Sequence, residues 1–329
     1  MLIKQGGRDS VNRYMNTGQP ESILQYQIME KIGEGPVGEV FKAMDPGLQR
    51  VVAVKWLWPH LSGQAEFWDD ILPLLKKLQE IRYEGLAQVY AIEEATGRFL
   101  IVEEFVEGSD FVSYVRDSAL SFKSFLVVAQ EITRSLKYAH DHGLVHANLK
   151  PSNILVRSDG RVRIMDFGMS RYLTPSHFDK EIPVKVLRYL APEQLRNDAV
   201  TKVTDLYSVG AVFYEGLCGR PAFPQESQNA LLMAIESSEP ESKPLQQAGV
   251  GGDMIFLVEK LLSWKPADRL GTSGELLINL QAIADFERTH PAHGPLHNPE
   301  RHSSRQYLML SILAALLLIF WLIVTSHHQ

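Results

Sequence analysis

Residues 146–153 read His-Ala-Asn-Leu-Lys-Pro-Ser-Asn, and the short apolar runs ILV (154–156) and VRIM (162–165) lead from there into Asp166-Phe167-Gly168. The two runs form a small β insert in a half of the chain whose other signals are helical. SFLVVAQEITRSLKYAH (124–140) precedes them; VTDLYSVGAVFYEGLCG (203–219), MIFLVEKLLSW (254–264) and GELLINLQAIADF (274–286) follow. Upstream the pattern changes. YQIMEKIGEG (26–35) reads as a strand ending in a glycine turn, and VVAVKWLW (51–58) and FLIVEEFV (99–106) are apolar runs of strand length. Between them, residues 64–81 carry helical spacing. The order is therefore a β-rich lobe, about 26–105, followed by a helical lobe, about 106–288: an α+β, two-lobed architecture.

The whole composition agrees with a folded chain. Of 329 residues, 45% are hydrophobic and 22% charged, which excludes wholesale disorder. Lys plus Arg is 33 against 39 for Asp plus Glu, a net charge of −6 that argues against nucleic acid as a partner. The one cysteine, Cys218, cannot form an internal disulfide; it reads as a core residue with no base nearby.

Taken together, the motifs resemble the eukaryotic-type Ser/Thr protein kinases across about residues 26–288. Ile32-Gly33-Glu34-Gly35-Pro36-Val37-Gly38-Glu39-Val40 matches the glycine-rich loop and Val52-Ala53-Val54-Lys55 the strand with the phosphate-binding lysine. The 146–153 run matches the catalytic loop, followed in order by Asp166-Phe167-Gly168, Ala191-Pro192-Glu193, Asp205-Leu206-Tyr207-Ser208-Val209-Gly210 and Arg269. One such motif is weak; the ordered set is not a chance alignment. Leu-Lys-Pro-Ser-Asn (149–153) resembles the Ser/Thr rather than the tyrosine branch.

The resemblance implies a two-lobed kinase fold and a nucleotide site. ATP with Mg²⁺ is the implied ligand, with weak or metal-independent binding as the alternative. Backbone at Gly33, Gly35 and Gly38 would approach the phosphates without side-chain obstruction. Lys55 would face the α- and β-phosphates and Lys150 the γ-phosphate. Ile32, Val40 and Ala53 would pack on the adenine, with Glu104 and Val106 completing the nucleotide-contacting set. Asn153 and Asp166 would hold Mg²⁺, which suits hard oxygen ligands. Glu193 with Arg269, and Asp205, would be structural: an ion pair and a cap on the catalytic loop.

Several positions depart from the family. Asn148 stands where the catalytic aspartate belongs; an amide hydrogen-bonds but has no useful basicity. Ala147 replaces the preceding arginine, so the dock for an activation-loop phosphate is absent. Val186 stands where a threonine would bridge that aspartate and lysine. Pro36 removes an amide donor from the glycine turn. The glutamate expected to pair with Lys55 falls, by counting, on Leu74. Two substitutes present themselves: Asp70, one turn earlier with a shorter arm, and Glu103, which would face the rear of the pocket where the family usually has an apolar side chain. The expected function is a pseudokinase or catalytically impaired kinase acting as a signalling or scaffold module; the alternative is an active Ser/Thr kinase. A small-molecule phosphotransferase of related fold is disfavoured by Ala191-Pro192-Glu193 and Arg269.

Other features are weighed briefly. Ser170, Thr174 and Ser176 are possible phosphorylation sites in the 166–193 segment, though most loop hydroxyls are inert. His140, His142 and His146 cluster, but His140 and His146 match structural positions of the family. His290, His293, His297 and His302 suggest adventitious metal binding at most.

The ends complete the reading. Residues 1–25 are polar and expected to be flexible, without the apolar core of a signal peptide. Residues 289–307 lack periodicity and read as a linker. Leu308–Thr325 is 18 residues without charge. As a helix it spans roughly 27 Å, enough for a thin bilayer. Arg301 and Arg305 precede it and only residues 326–329 follow. The expectation is a single-pass tail anchor with residues 1–307 in the cytoplasm, a bacterial inner membrane being favoured.

Overall fold

The computed structural model describes residues 20–35, 37–63, 65–118, 120–167, 183–237, 239–290 and 296, with the side chains of residues 65–67, 70 and 237 outside the description. Pro36, Gly168, Ser170, Thr174, Ser176, His293, His297, His302 and the 308–325 segment lie outside it, as does the side chain of Asp70. Among the described residues no helix is long and apolar enough to cross a membrane.

The first lobe is an antiparallel sheet. Its strands are β1 (Ser22–Ile23), β2 (Tyr26–Glu34), β3 (Gly38–Asp45), β4 (Arg50–Leu57), β5 (Val89–Ala95) and β6 (Arg98–Glu104), in the order β1-β2-β3-β4-β6-β5. Two helices sit between β4 and β5: α1 (Pro59–Ser62) and α2 (Ala65–Glu80). The alternation in β4 does two jobs. Val52, Val54 and Trp56 enter a core with Ile28, Phe41, Leu100 and Val102. Ala53 and Lys55 take the other face. Residues 22–25, expected to belong to a flexible extension, are built into this lobe: β1 pairs with β2 and Ile23 is fully buried in the same core. A two-residue strand is too short to leave a periodic signal.

The second lobe is helical. A three-stranded sheet, β7 (Ser109–Asp110), β8 (Ile154–Val156) and β9 (Val162–Ile164), lies beside α3 (Phe111–Asp117) and α4 (Phe122–Asp141). Then come α5 (Val184–Leu187), α6 (Pro192–Leu195), α7 (Lys202–Cys218), α8 (Gln228–Ser237), α9 (Lys243–Gln247), α10 (Gly252–Leu261) and α11 (Ser273–Thr289). Helix α7 is apolar nearly all round and is buried as such a helix must be. Thr201 caps its start, accepting from the Val203 amide, and Gly219 ends it with a φ of 76° that a side chain would resist. Phe111, Phe125 and Phe213 meet with centroids 5.6–6.2 Å apart, tying α3 and α4 to α7. Leu296, inside the stretch read as linker, is buried, and its amide donates to the Leu120 carbonyl at 2.9 Å.

Candidate functional site

The site lies where β4 and β6 face the 146–167 segment. In the β4–β6 ladder Ala53 is opposite Glu103 and Lys55 opposite Ile101. Opposite residues share a face, so Lys55 and Glu103 are diagonal neighbours within reach of each other. Lys55 Nζ lies 2.9 Å from Glu103 Oε1 and 2.5 Å from Asp166 Oδ1. Glu103 is therefore the strand-borne partner of Lys55. Of α2, Leu75 and Leu78 line the wall beside Lys55, and Leu74, on which the count falls, is half-buried against the same core. Pro73 sits inside α2 and removes one helical hydrogen bond there. Behind the pair is a cavity of about 10 Å³, room for one water.

Two buried charges, Lys55 and Glu103, and the partly buried Asp166 share this spot, and their titration follows from it. Burial disfavours the Lys55 ammonium, but Asp166 and Glu103 outweigh burial and hold it above the usual lysine range. Burial also raises the Glu103 carboxyl; Lys55 opposes this, Asp166 reinforces it, and the result stays above the ordinary value. Asp166 goes the other way. Burial would raise it, but Lys55, with Lys150 and His146 behind, keeps it below the usual range.

The catalytic-loop segment is held from beneath. Asp205 on α7 accepts from the His146 amide at 2.8 Å and the Ala147 amide at 2.7 Å, and its carboxylate also meets His140 Nε2 at 2.8 Å. Gln194 Nε2 donates to the Ala147 carbonyl at 2.7 Å. This over-determination keeps Ala147 at a φ of 62°, uncommon for a side-chain-bearing residue. His146 meets the Met165 carbonyl through Nε2 at 2.7 Å and packs on Phe167 at 4.5 Å. Asp166 also has a positive φ, 65°, which turns its carboxylate onto Lys55. Farther off, Arg269 donates to both Glu193 oxygens, at 2.7 and 2.9 Å, in a buried fork.

Asn148 is buried; its backbone is used, but its side-chain amide has no hydrogen-bond partner among the described residues. Asn153 Nδ2 donates to the Asn148 carbonyl at 2.9 Å, which leaves Asn153 Oδ1 and the second Asp166 oxygen without a hydrogen-bond partner among the described residues. Two uncommitted hard oxygens fit a small divalent cation. His140 meets Ser273 and Asp205, His142 the Tyr138 carbonyl and His146 the Met165 carbonyl, so each of these rings is engaged within the fold. Burial holds Lys150 below the usual lysine range, and the nearby charges of Lys185 and Lys55 add to this against Asp166. Val186 is buried and offers no donor.

The rest of the predicted set lies around these groups. Gly33, opposite Val40, and Gly38 flank the glycine turn. Gly35's amide donates across it to the Gly38 carbonyl at 2.9 Å. Ile32 is 45% exposed, while Ala53 and Val106 are buried. Glu104 is engaged by Arg163 at 3.1 Å. Burial pushes the Cys218 thiol up to about 11, which disfavours the thiolate. Sequence reasoning missed Trp58, whose indole donates to the Gly35 carbonyl at 2.9 Å. A tryptophan at the end of an apolar strand gives no periodic signal for such a role.

A family model described as the protein kinase domain matches residues 26–278. The chain belongs to the protein kinase family. Its relatives place it in the eukaryotic-type Ser/Thr branch. It is 29% identical over 271 residues to the serine/threonine-protein kinase PknB of Mycobacterium tuberculosis, covering 80% of this chain and 43% of that protein. It is 31% identical over 291 residues to the DNA damage-responsive serine/threonine-protein kinase RqkA of Deinococcus radiodurans, covering 82% and 42%. The chain thus spans less than half the length of these curated relatives. Among solved structures, Rad53 1-466 in complex with AMP-PNP superposes with a TM-score of 0.64 at 27% identity, covering 77% of this chain and 64% of that one. The Mycobacterium tuberculosis PknI kinase domain, at 21% identity and a TM-score of 0.63, shares the fold over 79% of this chain and 97% of its own.

Proposed function

We propose that this chain is a nucleotide-binding member of the Ser/Thr kinase family whose phosphotransfer is impaired, and that it works at a membrane as a signalling or scaffold module. The observation that carries this reading is Asn148. In the family that position accepts the substrate hydroxyl's proton. A carboxamide there holds no charge, and Val186, where the family has a threonine, has no side-chain donor to offer. General-base terms of this kind are typically worth about 10²–10⁴-fold.

The groups that would grip the nucleotide are retained. Lys55 supplies a cation for phosphates and Lys150 a second one. Asn153 and Asp166 would hold Mg²⁺, which, when bound, offsets phosphate charge. Because phosphoryl transfer depends largely on positioning and electrostatics, these groups support a residual rate. Before phosphates arrive, Lys55 is shared between Glu103 and Asp166 at 2.9 and 2.5 Å. Nucleotide must draw the ammonium partly away from both, so binding is expected to be weaker than a freely offered lysine would give. Leu308–Thr325 supplies the membrane attachment in this reading, leaving residues 1–307 on the cytoplasmic side.

The test is ligand linkage. Millimolar Mg-ATP raises the melting temperature of the wild-type protein by mass action, and Lys55→Met removes the shift. No shift with Mg²⁺, Mn²⁺ or neither would end the nucleotide part of the reading. Extraction of the full chain from membranes by alkaline carbonate would end the anchor.

A further inference from the structure

Trp58 directly follows β4, and both of its N–H groups are spent on the glycine-rich turn. The backbone amide donates to the Val37 carbonyl at 3.0 Å, and the indole Nε1 to the Gly35 carbonyl at 2.9 Å. The turn is seated as well as bonded: a Cβ on Gly38 would lie 2.3 Å from the Trp56 carbonyl oxygen, so only glycine lets the two backbones approach this closely.

A second set of contacts braces the same place. Arg98 on β6 donates to the Leu57 carbonyl at 2.8 Å and the Trp56 carbonyl at 3.2 Å, and its guanidinium lies 3.6 Å from the Trp56 ring centroid and 5.6 Å from that of Trp58. It also reaches Glu39 on β3 at 3.5 Å, and Glu39 in turn holds Lys31 on β2 at 3.0 Å. Strands β2, β3, β4 and β6 are thus cross-braced beside the turn, and Trp58 is the piece that touches the turn on both sides of residue 36.

We infer that Trp58 is a positioning residue that fixes the glycine-rich turn before nucleotide arrives. Glycine-rich backbone is the most mobile kind, and ordering it costs conformational entropy on binding unless it is ordered beforehand. A turn tied at Gly35 and Val37 has already met that cost, so a phosphate-bearing ligand encounters a preorganised surface. This rests on the reading of the turn as the phosphate-facing element, but the latch itself exists without ligand and is tested without it.

The experiment is amide hydrogen exchange on the full chain over residues 31–40, with Trp58→Phe, which keeps an aromatic ring but removes the indole donor and the second ring. The expected result is exchange faster by about 3–10-fold, the loss of one ordinary hydrogen bond, with exchange in α7 unchanged. Mg-ADP affinity, followed by thermal shift, falls by a similar factor. Unchanged exchange across 31–40 in a folded Trp58→Phe protein overturns the latch. If that variant does not fold, the wild-type indole proton decides: a slowly exchanging Trp58 Nε1–H supports the latch and a fast one defeats it. Absence of nucleotide binding in the wild type would defeat the nucleotide reading while leaving the exchange result to judge Trp58.

Discussion

Glu103 Oε1 stands 2.9 Å from Lys55 Nζ, and the two residues come from adjacent strands of one sheet. The pair that fixes the lysine is thereby part of the ladder between β4 and β6, and its geometry does not depend on where α2 lies. Helix α2 contributes only Leu75 and Leu78 to that wall among the described side chains. A double-mutant cycle of Lys55→Met and Glu103→Gln, followed by urea unfolding, is expected to give a coupling of about 1–3 kcal/mol, the range for residues in direct contact. Additive losses would show that the contact has no energetic content.

The two carboxylates on Lys55 titrate with opposite consequences. Glu103 has a folded value raised by burial and by Asp166 against Lys55. Its stabilising contribution is complete below the unfolded glutamate value, about 4.3, and is lost as pH rises through the folded value. Asp166 has a lowered folded value because Lys55 outweighs burial. Its contribution is present above the unfolded aspartate value, about 3.9, and is lost as pH falls through the folded one. The stability of wild type relative to Glu103→Gln should therefore decline as pH rises from 4 toward 8 (roughly the accessible range), measured by denaturant unfolding. Relative to Asp166→Asn it should decline as pH falls below about 4. A difference from Glu103→Gln that grows with pH would contradict the assignment.

Arg269 and Glu193 form a deeply buried ion pair, their side chains 0% and 4% exposed. Removing one partner strands the other charge. Arg269→Ala is expected to cost about 3–5 kcal/mol, and it also abandons the Ser263 and Trp264 carbonyls that Arg269 satisfies. Replacing both partners with apolar residues should cost less than Arg269→Ala alone, because no orphan carboxylate remains. Equal costs in equilibrium unfolding would mean the fork is not what holds α6 to the 263–269 turn.

How far the chain explains itself varies by residue. Glu103 was legible as one of two candidate partners for Lys55 from its place in FLIVEEF; the choice needed the β4–β6 register, which sets Ala53 opposite Glu103 and so puts Glu103 on the face of Lys55. Asp205 was legible as a cap from its place in an ordered motif, and the structure gives it the two amides it needs. Which α2 side chains face Lys55 was not legible, since a count back from residues 83–86 does not fix how the helix is rotated against the sheet; Leu75 and Leu78 turn out to line that wall. Glu93 went unnoticed for a different reason. It is buried, a place carboxylates rarely occupy, only because Tyr26 donates to it at 2.8 Å and Gln25 at 3.1 Å. Those partners are more than sixty residues away in sequence, and no local pattern announces them. Leu296 is of the same kind: one apolar residue in a Pro- and His-rich stretch, buried by a contact with Leu120 that the stretch itself does not encode.

The central claim concerns the proton at Asn148, and the most direct measurement is transfer of radiolabelled γ-phosphate from Mg-ATP to a Ser- and Thr-rich protein by wild type, Asn148→Asp and Asn148→Asp combined with Lys55→Met. The account predicts a slow wild type, a gain of about 10²–10⁴-fold in Asn148→Asp, and loss of that gain when Lys55 is removed. A wild type already as fast as Asn148→Asp, and silenced by Lys55→Met alone, would contradict it.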